Sequence, residues 1–442
     1  MGFIAVTTRI LIFMIAVTVL PGLPPYPTFP SRPFSVKPAR DLEGVLALNQ
    51  LLNNAEHLLE NKLIAPESIL VRGNATFVST YGGKIIEITN NDQLRIVAKF
   101  GKPCRSSYDE RECGRPLGMA FDTQGNNLIV AEPYSGIWQI QIKTGAKMLL
   151  VSENTIIDGG KVSRPLKTPN GVAVDKNGDI FWSDTVSDVT FDNALIGLLM
   201  NPSGRLLQHN RSTGKSRVLI DEVYGANGVA LSKDEGFVLV GELGGQQIRR
   251  YYLKGPKAGT DDIFIDGLPG AVDNLVSDES GVWVALAIAV DKQNPSPLAL
   301  LAPYPNVRRF CVRMMTILDL SFEFIYEKTG SLLALRISNF IGNLSSLKAF
   351  ISDRGSILRL DWEGNIVAAL FSDDGSANLI SHAVQSGDYL LLGSPIHPWM
   401  GRVRLSQEVL QIVSTGSKNM GKLKPEVIVD TKKQKLISKQ EL

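Results

Sequence analysis

The amino-acid sequence predicts an all-β fold, a six-bladed β-propeller, on three observations. One hairpin pattern recurs six times, starting at Glu67, Leu117, Asn170, Asn227, Asp273 and Ile380. The first five starts lie 50, 53, 57 and 46 residues apart, close to the ~40–50 residues of a propeller blade. The 40 Gly and 23 Pro among 442 residues supply the turns that many short strands require.

Each repeat reads as an alternating strand, a tight turn of Asp, Asn and Gly, and a second strand rich in Val, Ile, Leu, Phe and Trp. NGVAVDKNG then DIFWSD from Asn170, and NGVALSKDEG then FVLVGE from Asn227, show the pattern most clearly. A lone hairpin cannot bury both faces, whereas radial stacking around a channel buries them and leaves only short edges. The spacing exceeds that of β-helix solenoids, so the propeller is placed at 62–412. The last gap, 107 residues from Asp273 to Ile380, holds something extra. From Lys292 to Ala349 the pattern turns helical, with Met314, Leu318, Phe322, Ile325 and Tyr326 at helical spacing. A partly helical insertion over 292–350, before the last blade, is expected to pack on the body or to form a lid or membrane-facing patch.

Ahead of the repeats, Asp41 opens a run with Leu42, Val45, Leu46, Leu52, Ala55 and Leu59 on one helical stripe, read as a connector helix within a linker at 26–61. The first 25 residues are a targeting segment: Phe3 to Leu23 is a 21-residue stretch with the single charge Arg9, about the ~20 residues that cross a bilayer. A cleaved signal peptide and an uncleaved signal-anchor helix both fit. Pro21, Pro24, Pro25, Pro27 and Pro30 stand where small residues would mark cleavage, which favours the anchor.

Two features place the body in the secretory lumen or outside the cell. Cys104 and Cys113 flank a polar loop that a disulfide can close, leaving Cys311 unpaired and, by expectation, buried. Sequons stand at Asn74, Asn210 and Asn343. The lysine-rich tail at 413–442 ends Lys439-Gln440-Glu441-Leu442, similar to an endoplasmic-reticulum retrieval signal; a chance ending fits equally well. With 46 basic and 44 acidic residues, the formal charge of +2 offers no general attraction to phosphate backbones, and nucleic acid is excluded as a partner.

Radial symmetry gathers the lead residues of the repeats at one end of the tunnel. In that column Glu67, Asn170, Asn227 and Asp273, with Asn274 adjacent, are oxygen donors. Calcium takes six to eight oxygens from such groups and water, and the absence of thiol and imidazole from the column argues against zinc. Singly, each Asn-Gly is more often a turn than a ligand; their equivalence across repeats points to a metal site.

The stretch from Gly178 to Val290 resembles the strictosidine-synthase-like family. Gly204-Arg205-Leu206-Leu207, Ala226-Asn227-Gly228-Val229, Arg249-Arg250-Tyr251-Tyr252-Leu253-Lys254-Gly255-Pro256 and Asp273-Asn274 carry the likeness. Pro66-Glu67-Ser68-Ile69 and Cys113-Gly114-Arg115-Pro116-Leu117-Gly118 extend it. The wider superfamily includes calcium-dependent lactonases, arylesterases and phosphotriesterases. The resemblance implies Ca2+ on Glu67, Asn170, Asn227, Asp273 and Asn274, and a hydrolase of small aryl esters or lactones. Leu117 and Glu132 stand where paraoxonase-like relatives carry a His pair, so Asp273 and Glu132 are the candidate bases. Ser381, beside His382, replaces the last-blade glutamate of plant strictosidine synthases, which makes amine–aldehyde condensation the wrong chemistry. A non-catalytic propeller that binds a protein, glycan or lipid around a structural ion is the competing reading.

Overall fold

A computed structural model describes residues 2–25, 31–89, 92–106, 109–161, 163–344, 346 and 352–415. The terminal Lys-Gln-Glu-Leu and nearly all of the lysine-rich tail lie outside the described residues.

Six four-stranded antiparallel sheets make up the body. Sheets one to five each use four successive strands. Their first strands are Ile69–Arg72, Met119–Phe121, Pro169–Val174, Ala226–Leu231 and Gly270–Asp278. Sheet six joins His382–Ser386, Tyr389–Gly393 and Met400–Arg404 to an outer strand from far upstream, Glu56–Leu58, with His57 opposite Gly401.

The apolar faces account for the arrangement, because each sheet buries its alternating residues against the next. Phe77 and Ile85 of sheet one meet Met119 and Leu128 of sheet two. Ile129 and Ile137 then meet Val172 and Trp182 of sheet three, and Phe181 and Leu206 meet Val229 and Val238 of sheet four. Leu239 and Ile248 pack on Leu275 and Val284 of sheet five, while Trp283 and Ile357 pack on Ala383 and Leu390 of sheet six. Leu391 and Met400 complete the circuit on Ile69 and Val78. Consecutive sheets thus form a closed ring, and the upstream strand in sheet six ties its two ends together.

The helices decorate this ring: α1 (Gly2–Val19), α2 (Glu110–Cys113), α3 (Ala194–Leu199), α4 (Pro297–Leu301), α5 (Pro305–Thr329), α6 (Leu332–Gly342) and α7 (Gln407–Thr415). The expected helical insertion is α4 to α6, placed inside sheet five between strands Gly281–Ala289 and Ser356–Leu360. It is held to the body by Arg308, fully buried, whose Nη1 donates to Leu199 O at 3.2 Å and Met200 O at 2.8 Å.

The connector helix predicted from Asp41 does not form. Only a short turn of helix at Gly44–Leu46 and the strand Glu56–Leu58 occur there. The leucines that suggested one stripe serve different neighbours: Leu46 packs between sheets four and five, and Leu52 and Ala55 between five and six. An extended chain reaches both cores, and a helix of the same residues would reach one.

The N-terminal helix stops at Val19, two residues before Pro21, as proline requires. Its 18 residues span about 27 Å at ~1.5 Å per residue, and among the described residues no helix is long and apolar enough to cross a membrane. It is nevertheless apolar and exposed, with Ile12 at 61% and Val19 at 63%. Its C-terminal end is tied to α5 by Arg313, whose Nη1 donates to Val17 O, Thr18 O and Leu20 O at 2.8, 3.0 and 2.9 Å.

Cys104 and Cys113 form a disulfide with Cα atoms 4.9 Å apart. Cys311 is a free thiol on α5, half-buried where full burial was expected.

Candidate functional site

The first strands of the six sheets line the ring's axis, and neighbouring sheets bond directly to one another around it. Gly118 N donates to Asn170 O at 3.0 Å, Asn274 N to Ser381 O at 3.0 Å, and Ser79 Oγ to Leu117 O at 2.7 Å. This pattern corrects the sixth lead residue: Ser381 occupies the axial position, while Ile380 is buried in the core between sheets five and six.

In sheets three, four and five the strand register slips where the predicted ligands stand. The slips fall between Pro169 and Val172, Ala226 and Val229, and Val272 and Leu275. A bulge inserts an extra residue and re-aims side chains, so Asn170, Asn227 and Asp273 each occupy an irregular position. The glycines of the two Asn-Gly pairs are not hairpin turns. A Cβ on Gly171 would lie 2.5 Å from Asn227 O, and one on Gly228 would lie 2.3 Å from Leu275 N. Glycine is needed because each strand passes that close to the next.

The structure brings Glu67, Asn227, Asp273 and Asn274 together and sets Asn170 in the same ring of strand starts. Asn274 Nδ2 donates to Glu67 Oε1 at 3.3 Å, the Asn227 side chain hydrogen-bonds Asp273, and Ser381 hydrogen-bonds Glu67. Asn170 Nδ2 is spent on Thr185 Oγ1 at 3.1 Å. Four oxygens are left buried without a hydrogen-bond partner: Glu67 Oε2, Asn170 Oδ1, Asn227 Oδ1 and Asp273 Oδ1. Their residues are no more than 5% exposed. An unsatisfied buried polar group costs about 1–3 kcal/mol, so four such oxygens in one ring call for a shared partner.

Electrostatics point the same way. Burial raises the pKa of Glu67 and Asp273, and the Glu67 charge lifts Asp273 further. Two carboxylates held together in a dry site favour either a shared proton or a cation. Oxygen donors of this kind, with two negative charges, fit a hard divalent ion. Among the described residues no group of three or more His, Cys, Asp and Glu side chains forms a metal cluster; amides make up the rest of this set.

Glu132 has a different setting. Its Oε1 accepts from Arg115 N at 2.9 Å, and its Oε2 from Tyr134 N at 3.1 Å and Ser135 Oγ at 2.6 Å. None of these bonds reaches the four unpartnered oxygens. The same position at the end of the second strand carries Asp184 in sheet three and Glu242 in sheet four. Asp184 accepts from Thr168 N at 2.6 Å and pairs with Arg205 at 2.5 Å, and Glu242 accepts from the backbone of Tyr224. An acid there fastens the loop that enters its own sheet. Leu117, the other place of interest, is an apolar member of the ring, 2% exposed.

One charged residue of the site was not singled out from sequence. Arg115 is 3% exposed, with Nη2 3.6 Å from Glu67 Oε2 and Nε 3.8 Å from Glu110 Oε1. Beyond it a cavity of about 160 Å³ opens between the disulfide loop and the α5–α6 hairpin, lined by Asp109, Glu110, Asp192, Asp319, Glu323 and Tyr326 among others.

The predicted sequons differ in access. Asn74 is exposed in a hairpin turn, Asn210 is half-buried with Nδ2 donating to Asp179 at 2.9 Å, and Asn343 is 7% exposed at the end of α6.

Residues 170–256, which carry two of the axial asparagines and the strands around them, match the strictosidine synthase family. The chain belongs to the family of adipocyte plasma membrane-associated proteins. It is 42% identical over 394 residues to the Drosophila melanogaster protein called Adipocyte plasma membrane-associated protein Hemomucin, covering 89% of this chain and 68% of that one. The Gallus gallus adipocyte plasma membrane-associated protein is 32% identical over 409 residues, 91% of this chain and 89% of that protein. Among solved structures, a gluconolactonase from Xanthomonas campestris aligns with a TM-score of 0.49 at 14% identity, over 86% of this chain and 99% of that one. A calcium-binding regucalcin from Agrobacterium tumefaciens aligns at 0.46 and 11% identity, over 80% and 95%.

Proposed function

We propose that the ring is a six-bladed β-propeller whose axis holds one calcium ion, and that it hydrolyses small lactones or aryl esters there. The observation that carries this reading is the set of four buried oxygens without a hydrogen bond on Glu67, Asn170, Asn227 and Asp273. These residues, with Asn274 beside them, would hold the ion. When bound, calcium supplies a Lewis acid that polarises a carbonyl oxygen and stabilises the charge developing on it. The chain's own residues do the rest. Asn274 orients Glu67 through the 3.3 Å hydrogen bond, and Asn227 holds the Asp273 carboxylate through its amide. The Asp273 carboxylate is the proposed acceptor for the proton of the attacking water. Glu132 acts by positioning, fixing the backbone of Arg115.

The protein is proposed to sit on a membrane through α1, with the propeller in the lumen or outside the cell, where the Cys104–Cys113 bridge persists. Asn74 is the proposed glycan acceptor, because its amide stands in solvent.

Turnover of an aryl acetate and of a δ-lactone, measured with calcium and with chelator for the wild type, Asn227→Ala and Asp273→Asn, tests this reading. Loss of turnover with chelator and at least a hundredfold loss in either variant are expected. Turnover indifferent to chelator and to both substitutions would overturn it. A chain that binds calcium and turns over neither substrate would assign the ion a structural role. The hydrogen bonds that engage both Glu132 oxygens favour that second reading over any mechanism that needs Glu132 as a base.

A further inference from the structure

A guanidinium is buried against the ligand set whose ion it would repel. Arg115 Nη2 lies 3.6 Å from Glu67 Oε2, one of the four unpartnered oxygens, and both side chains are at most 6% exposed. Arg115 is held there by backbone. Its Nη1 donates to Ala65 O at 3.3 Å and its Nη2 to Pro395 O at 2.7 Å, so it is fixed between the entry to sheet one and the loop that joins Tyr389–Gly393 to Met400–Arg404 in sheet six. Its Nε makes no hydrogen bond among the described residues and faces Glu110 Oε1 at 3.8 Å. Glu110 accepts long contacts from Tyr134 Oη at 3.4 Å and Asn343 Nδ2 at 3.5 Å.

We propose that Arg115 is a resident counter-cation that competes with the divalent ion for Glu67 and thereby sets the affinity of the axial site, with Glu110 taking up its charge when the ion is bound. The proposal rests on the calcium reading above. A guanidinium does not lose its proton in a protein, so its charge is permanent, and in a dry site that charge is little screened by salt. Without an ion it offsets one of the two carboxylates. With an ion, the same positive charge opposes binding, and the oxygen turned toward Arg115 must serve the metal. Affinity for calcium follows the net charge of the ligand set. Glu67 and Asp273 alone present two negative charges; Arg115 reduces the sum to one. Glu110, on the far side of the guanidinium, draws it away from Glu67.

The two neighbours of Glu67 are therefore predicted to have opposite effects, which separates this role from support of the fold. Full-length wild type, Arg115→Gln, Arg115→Lys and Glu110→Gln are titrated with calcium by calorimetry, and with terbium by luminescence displaced by calcium, at one pH and two salt concentrations. Arg115→Gln is expected to bind calcium more tightly, on the order of tenfold or more. Arg115→Lys should stay within a few fold of wild type, and Glu110→Gln should bind several-fold more weakly. Salt should change these ratios little. Equal or weaker binding by a folded Arg115→Gln overturns the proposal. If that variant does not fold, unchanged or tighter binding by Glu110→Gln overturns it. A wild type that binds neither ion removes the calcium reading itself, a result distinct from wild-type binding with the variants in the wrong order.

Discussion

The two Asn-Gly pairs show how closely the axial strands approach. Gly171 has no room for a methyl group, since Asn227 O and Val229 N would stand 2.5 and 2.8 Å from its Cβ. Gly171→Ala must push sheet four away from sheet three at the point where the unpartnered oxygens gather. It is expected to cost roughly 2–4 kcal/mol in urea unfolding and to weaken ion binding with it; a loss under 1 kcal/mol would mean the strands yield freely. His382 is a second test at this scale. Its Nε2 donates to Ile69 O at 2.9 Å between sheets six and one, and burial pushes its pKa from 6.5 down to about 4. Between those values the unfolded chain takes up a proton that the folded one refuses, so stability falls as pH drops from 6.5 through about 4. The contribution is roughly 3 kcal/mol. His382→Gln should flatten the stability profile across that window, measured by denaturant unfolding at pH 7, 5.5 and 4.5; an unchanged slope would refute the assignment. Glu67, Asn170, Asn227 and Asp273 stand out in the sequence as candidate ligands because they recur at equivalent places in repeats, with Asn274 adjacent to the last. Arg115 does not stand out, since a single arginine in a loop carries no sign that it is buried against a residue 48 positions upstream.

At the scale of elements, periodicity identified strands and the long helices, and failed where apolar residues serve several partners. The helical spacing of Met314, Leu318 and Ile325 does correspond to α5. The equally regular leucines after Asp41 do not make a helix, because Leu46 and Leu52 enter separate cores. In sheet six the structure puts Ser381 on the axis and Ile380 in the core, one residue out of step with the repeat pattern, and with a period of two such a slip exchanges the axial and core faces. The contact between α1 and α5 could not be inferred from spacing at all, because it depends on Arg313 meeting the last carbonyls of a helix some 300 residues away. Each buried carbonyl that loses its donor costs about 1–3 kcal/mol. Arg313→Ala is therefore expected to release the end of α1, with the amides of Val17 to Leu20 exchanging hydrogen at least tenfold faster while those of the six sheets keep wild-type rates. Unchanged protection at α1 would show that apolar packing alone seats it.

The whole molecule is closed twice. The strand Glu56–Leu58 bonds the first part of the chain to Met400–Arg404, and the proposed ligands bring residues of sheets one, three, four and five to one axis. An ion on that axis cross-links four of the six sheets, so its binding energy should appear in the stability of the entire ring rather than of one loop. At a calcium concentration of ~100 times Kd the gain is about 2.7 kcal/mol. For a ring of roughly 350 residues this corresponds to a rise of about 4 °C in Tm. The ring should unfold in one transition with calcium present, since opening any of those four sheets forfeits the ion. Chelator should remove the rise, and Asn227→Ala should abolish it while leaving the metal-free Tm close to wild type, because the lost amide bond to Asp273 is offset by relief of an unpartnered oxygen. Scanning calorimetry with calcium and with chelator decides between these outcomes. A calcium shift that survives Asn227→Ala at full size would place the ion elsewhere on the protein, and would detach the axial oxygens from the role the ring's geometry suggests for them.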